Sequence, residues 1–314
     1  MSIEPLEGEK ILITGATGTI ARPVARRLAA NNEVWGAARF SDPALRSELE
    51  DAGVRIAPID LSTHELSAIP EDISVVLHYA YTRRPSGDFH DAIEINALGL
   101  GHVLARCRHA RAALVVSAAT LYSVNEDPFY AYREEDDIGF VKAPWGPSSP
   151  VSKVTLEAIA RFCAETFEIP TMIVRPSVPY GCSIDMAQTI LDAVCEDRPV
   201  FAVSDPQPLS LIHIDDMCDQ IPALLAAASV PATIANWASD EVFTVQQIAE
   251  LAGELAGKTP RYQLGGAPGV APGAVVDTTR VRQLVGPCRR SFREEFTRAF
   301  SERSAAAASA TGNT

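Results

Sequence analysis

Residues 10–28 read KILITGATGTIARPVARRL, and the whole fold hangs on how this stretch is parsed. KILIT is a short β-branched and aliphatic run that stops at a glycine-bearing turn, and IARPVARRLAANN beyond it carries apolar residues at helical spacing. Gly15, Gly18 and Ala21 stand three apart between the two. Glycines there let the chain turn sharply and approach a pyrophosphate, whose charge rests on the free N–H groups and positive dipole of the following helix. Such a triplet means little alone; between a strand and a helix it predicts a dinucleotide cradle of Gly15, Thr17, Gly18, Thr19 and Ile20.

Outward from this unit the alternation continues. NEVWGAA, VRIAPID, SVVLHYA, AALVVSA and TMIVRPS are strand-like, apolar on both faces and separated by helical patterns. Strands of that kind imply a parallel sheet covered on both sides, a doubly wound α/β domain of Rossmann type. No repeat of fixed period interrupts it. After residue 180 the chain is richer in loops, and TIANWA is the one further run that fits the sheet. The expected division is a dinucleotide-binding domain over 1–180 with a returning strand near 211–239, a smaller substrate-binding lid over 181–210 and 240–303, and a frayed tail over 304–314.

At the end of the second strand, where a carboxylate normally holds the ribose of NAD, the chain has Gly36, Ala37, Ala38 and then Arg39. A guanidinium with no carboxylate beside it favours a 2′-phosphate, so the expected cofactor is NADP rather than NAD; the competing reading of Arg39 is an ordinary surface charge. Asp60, followed by Leu61, is placed to accept from the adenine amino group, or else is a helix N-terminal carboxylate.

The composition narrows the partners. The chain has 314 residues, 47% hydrophobic and 21% charged, with a formal net charge of −13. That charge argues against nucleic acid, which is held by clustered Lys and Arg. The six cysteines are scattered and neither paired nor grouped with histidines, so they read as free thiols in a reducing compartment, with no metal site. The acidic N-terminus leads straight into a strand, and no apolar run approaches the roughly 18 residues a membrane span needs. The expectation is a cytoplasmic protein acting on a small molecule.

Several segments in one order carry a resemblance: TGATGTIA, Asp60–Leu61, HYAY, INALGLGHVL with Asn96, VVSAATLY, SKVTLE, RPSVPYG, LIHIDDM and VVDTTRVRQLVG. Together they resemble the extended short-chain dehydrogenases/reductases, the group that holds the nucleotide-sugar epimerases and dehydratases. The resemblance implies cofactor contacts from Tyr79, Ala80, Asn96, Lys153, Pro176 and Val178, and a homodimer through the fourth and fifth crossover helices. It also implies a tyrosine four residues before the lysine as proton donor, and a Ser or Thr four residues before Tyr122 that binds the substrate oxygen. Lys153 matches, but those two positions hold Ser149 and Ala118.

A serine hydroxyl is too basic to replace a phenol near neutral pH unaided, and Ser149 followed by Pro150 reads as an N-cap and first helical residue. Ala118 has no group to donate. Other hydroxyls near the expected nicotinamide face are Ser117 and Thr120 beside Ala118, Tyr79 and Tyr81 after the fourth strand, Tyr130 and Tyr132, and Tyr180, with Cys182 and His213 close to the latter. Tyr81 is favoured, as a phenol at the carboxyl end of a strand. Nucleotide-sugar members grip the diphosphate with an Asn and an Arg where this chain has Ser177 and Leu209. PWGPSSP with Trp145, and FAVSDPQPLSL, suggest a partly apolar pocket. Three readings are open. The first is an NADP-dependent oxidoreductase on a small apolar carbonyl or alcohol with a relocated acid. The second is a non-redox isomerase, lyase, cyclase or nucleotide-sugar enzyme, and the third a non-catalytic NADP-binding protein.

Overall fold

The computed structural model describes residues 5–82, 88–143, 146–183 and 185–311; Trp145 lies outside them. The six strand-like runs form β1 (Lys10–Thr14), β2 (Glu33–Ala38), β3 (Arg55–Pro58), β4 (Val75–His78), β5 (Ala112–Val116) and β6 (Thr171–Pro176). Between them run α1 (Ala21–Leu28), α2 (Pro43–Asp51), α3 (Phe89–Ile93), α4 (Gly99–Arg106) and α5 (Ser149–Phe167). A π-helical turn, Glu94–Leu98, joins α3 to α4. The second half adds β7 (Val178–Tyr180), α6 (Met186–Cys195), β8 (Val200–Ala202), β9 (Pro208–His213), α7 (Ile214–Ala226) and β10 (Thr233–Trp237). It ends with β11 (Val242–Thr244), α8 (Val245–Ala256), β12 (Tyr262–Leu264), α9 (Thr279–Val285) and α10 (Phe292–Thr311).

One seven-stranded sheet, ordered β10-β6-β5-β4-β1-β2-β3, is parallel throughout. The order reverses between β1 and β4, and that break opens a crevice at the carboxyl ends of the strands, where ligands of doubly wound folds bind. Alternate residues of each strand feed two cores. Ile13 and Leu77 pack with Val24 of α1 and Met217 of α7 on one face, while Leu12 and Val76 pack with Leu100 of α4 and Leu156 of α5 on the other. A third core, with Leu191, Leu211, Ile248 and Phe292, holds the second half together.

The returning strand is β10, beside β6; β9 instead joins β11 and β7 in a separate three-stranded sheet. Helix α10 continues to Thr311, past the point where fraying is expected, because the alanine-rich SAAAASAT run has high helix propensity. The capping expected of Ser149 is not realised. Its N–H already bonds the Gly146 carbonyl at 2.8 Å, which winds the chain into the helix one residue early. Ser148 becomes the N-cap position, without a side-chain cap, and Ser149 is the first helical residue.

Candidate functional site

A cleft of about 250 Å³ lies over the carboxyl ends of β1, β2 and β4. Gly15, Thr17 and Gly18 form its floor, Arg39, Asp60 and Leu61 its outer end, and Tyr79, Ala80, Tyr81 and Asn96 its inner end. Gly15 has φ +68°, and a Cβ there would come within 2.8 Å of the Ala80 Cα. Only glycine lets the turn after β1 lie this close to the turn after β4. Thr19 and Ile20 are not on the cleft wall, since the chain is already turning into α1. Arg39 is exposed and makes no ion pair among the described residues. Asp60 accepts from the backbone N–H and hydroxyl of Ser62 at 2.9 and 2.8 Å, so the carboxylate is held in a fixed turn. The residues suit a dinucleotide: a close backbone approach beside a helix start, a cation and an orienting carboxylate.

Asn96 contributes through position. From the π-helical turn its amide accepts from the Thr82 N–H at 2.8 Å and donates to the Thr82 carbonyl at 3.0 Å. Both bonds clamp the segment that carries Tyr81. Tyr81 in turn lies over Lys153, whose Nζ is 4.4 Å from the ring centroid. Lys153 is 5% exposed, donates to the Val116 carbonyl at 2.9 Å and lies behind the walls of the cleft. Burial pushes its pKa down to about 7, against the opposing charge of Glu157 one turn on. Beside it His78, fully buried, shares a hydrogen bond with Thr14 at 2.9 Å through Nδ1. Burial and then the charge of Lys153 lower its pKa to about 3, so the imidazole is neutral.

Several buried polar atoms have no partner among the described residues: the Tyr81 hydroxyl, on the ring that covers this lysine, His78 Nε2, and the Ser117 and Ser148 hydroxyls. Unpaired buried polar groups are costly and rare. Ser117 and Ser149 themselves line neither the cleft nor the cavity below. The Tyr79 hydroxyl is likewise buried and unpartnered, but its pKa is raised by burial and then by Cys218 of α7, which puts it on the sheet face opposite Lys153.

A second cavity, of about 430 Å³, opens between the sheet and the lid. Thr120 and Ala119 line it from the short turn after β5, Val178 from β7, and Ile190, Val200 and Val245 from the lid. Thr120 makes no hydrogen bond among the described residues. Tyr122 is not free in this way: it donates to Asn236 Oδ1 at 2.6 Å and accepts from Arg175 at 3.0 Å. Arg175 is bound twice by Glu157, at 2.9 and 2.7 Å, with both side chains buried. The asparagine also donates to the Tyr132 carbonyl at 2.8 Å. This Glu157–Arg175–Tyr122–Asn236 network fixes the floor of the cavity, and a reading confined to motifs misses it. Its one signal in the sequence is an arginine inside the apolar run TMIVRPS. Pro176 is buried and lines neither space. Tyr180, Cys182 and His213 gather instead around a separate cavity of about 260 Å³, and Tyr130 packs edge-on to Tyr132 at 5.1 Å. Among the described residues no group of three or more His, Cys, Asp or Glu is placed to hold a metal ion, and no helix is long and apolar enough to cross a membrane.

Residues 11–236 match the family model described as the NAD dependent epimerase/dehydratase family. The fold is similar to the UDP-glucuronic acid 4-epimerase from Bacillus cereus in complex with UDP-glucuronic acid and NAD: TM-score 0.78, 21% identity, over 93% of this chain and 98% of that one. It is also similar to the Thermus thermophilus UDP-glucose 4-epimerase complex with NAD, with TM-score 0.75 and 19% identity over 93% and 98%. A third is the UDP-N-acetylglucosamine 4-epimerase from Methanobrevibacter ruminantium M1, with TM-score 0.78 and 15% identity over 94% and 98%. A curated relative, the hybrid PKS-NRPS synthetase tasS of Hapsidospora irregularis, is 28% identical over 157 residues, covering 44% of this chain. The match spans 4% of that much longer protein.

Proposed function

Because the chain belongs to the NAD dependent epimerase/dehydratase family, we propose that it is a nicotinamide-dependent oxidoreductase that interconverts a small, fairly apolar carbonyl compound and its alcohol. The observation that carries this reading is the apolar cavity whose sheet end offers the unengaged hydroxyl of Thr120. A bound dinucleotide would supply or accept the hydride. On this reading Thr120 holds the substrate oxygen and Tyr81 passes the proton. Lys153 sits against the Tyr81 ring, its Nζ 4.4 Å from the centroid, and holds the ring in place. Asn96 keeps that segment in place. Ser149 and Ser117, behind the walls, are assigned no chemistry.

The proposed preference for NADP rests on Arg39, which has no carboxylate beside it; the Bacillus and Thermus relatives are described with NAD, which weighs the other way. Cys107, Cys163, Cys195, Cys218 and Cys288 are free thiols, which supports a reducing, cytoplasmic setting. Family membership also supports a second reading, an epimerase or dehydratase acting on a nucleotide sugar. It predicts turnover without net change in nicotinamide absorbance.

The test is consumption of NADPH or NADH at 340 nm by the purified chain with octanal and cyclohexanone, alongside Tyr81→Phe and Thr120→Val. Loss of a positioned acid lowers turnover by about 10²–10⁴-fold, so Tyr81→Phe is expected to fall in that range. Full turnover by Tyr81→Phe removes it from the mechanism. Turnover of UDP-glucose with no absorbance change selects the second reading.

A further inference from the structure

The charge around the larger cavity plays no part in the oxidoreductase reading, although the identity of this cavity as the substrate pocket rests on that reading. The whole chain is acidic, with 40 Asp and Glu against 27 Lys and Arg. Yet the described residues lining this cavity include no carboxylate at all, and two cations, Lys142 and Arg198. Of the two, Arg198 is paired with Glu196 outside the lining at 2.8 Å, and Lys142 brings a positive charge that no carboxylate of the described residues balances.

Most of the remaining polar lining is already engaged. The hydroxyls of Tyr122, Ser177 and Thr189 donate within the protein at 2.6, 2.7 and 2.8 Å, and that of Tyr132 accepts from the Asn125 N–H at 2.8 Å. Beside the Gln207 amide NH2, whose Oε1 accepts from the Val203 N–H at 2.9 Å, and the Tyr132 O–H, three groups at the ends of the cavity keep unused hydrogen-bonding capacity. Thr120 stands at the sheet end. Lys142 makes no ion pair among the described residues, and its stem lies against the loop at Gly269, where an added Cβ would come within 3.1 Å of it. Arg198 gives its Nε to Glu196 at 2.8 Å, which leaves the two terminal nitrogens of the guanidinium available. Both cations are exposed at their outer ends.

We infer that the substrate is amphipathic: an apolar carbonyl compound whose far end carries a carboxylate, read by Lys142 and Arg198 while its reacting oxygen meets Thr120. A sugar would leave most of its hydroxyls without partners against these walls, and desolvated unpaired hydroxyls are unfavourable. A neutral apolar molecule would fill the pocket but gain nothing from the cations. A carboxylate satisfies both, because charge-assisted bonds to Lys and Arg are among the stronger ones available.

Octanoate and octan-1-ol serve as probes, each titrated calorimetrically into the protein and into Lys142→Met and Arg198→Met. Octanoate is expected to bind at least about tenfold tighter than the alcohol, with each substitution removing about three- to tenfold of its affinity and leaving the alcohol unaffected. Raised salt should weaken octanoate alone. Equal binding of acid and alcohol, or octanoate binding unchanged in both variants, overturns the inference, as does failure of octanoate to bind. Octanal turnover with NADPH is measured separately on the same proteins, so loss of the charge preference is told apart from loss of the oxidoreductase reading itself.

Discussion

Replacing Lys153 by methionine should flatten part of the pH dependence of stability. The ammonium is buried behind Tyr81, and burial holds its pKa at about 7 against 10.5 for a free lysine. Each unit of that difference is worth about 1.4 kcal/mol. In the unfolded chain the group binds its proton below 10.5, whereas in the folded chain it does so only below about 7. Folding therefore carries no cost from this group above the unfolded value. The cost grows as pH falls towards about 7 and then levels off. It amounts to about 4 kcal/mol at pH 7 and about 2 kcal/mol at pH 9. The wild-type protein should thus gain about 2 kcal/mol between pH 7 and 9 relative to Lys153→Met, which keeps an apolar stem of similar length but has nothing to titrate. Urea unfolding followed by circular dichroism at pH 7, 8 and 9 measures it, and the comparison cancels every other titrating group. Parallel pH profiles for the two proteins would refute the reasoning and place the ammonium in contact with water.

Arg39→Ala should cost NADPH about tenfold or more in affinity and leave NADH nearly unchanged; equal losses in a fluorescence titration would make Arg39 an ordinary surface charge. Gly15→Ala should abolish dinucleotide binding, because the new methyl meets the Ala80 backbone at 2.8 Å in a left-handed turn. Retained binding would show that the two turns can separate. Glu157→Gln leaves the buried Arg175 charge without its partner and should destabilise the fold by about 3–5 kcal/mol in chemical denaturation. A loss below about 1 kcal/mol would mean that the network with Tyr122 and Asn236 neutralises the charge unaided.

Much of the cleft was legible because its determinants are local. The GATG turn, Arg39 after β2 and Asp60 after β3, all of which line the cleft, lie within a few residues of the strands that position them. Asn96 was expected at the cleft and lines it, but its clamp was not legible: its two bonds to Thr82 join segments on either side of a helix. Ser149 shows the opposite failure. Its sequence neighbours suggest a cap, yet a single bond to Gly146 starts the helix one residue early.

The sequence by itself determined the parallel sheet, the glycine turn after β1 and the absence of a tyrosine four residues before Lys153, because strand and helix periodicities and the residues at strand ends are short-range patterns that survive in one dimension. Only the tertiary structure decided that Tyr81 covers Lys153, that Glu157 and Arg175 meet under Tyr122, and that Lys142 and Arg198 share one apolar cavity. Those pairings join distant segments of chain, and their electrostatics exist only once water has been excluded from between them.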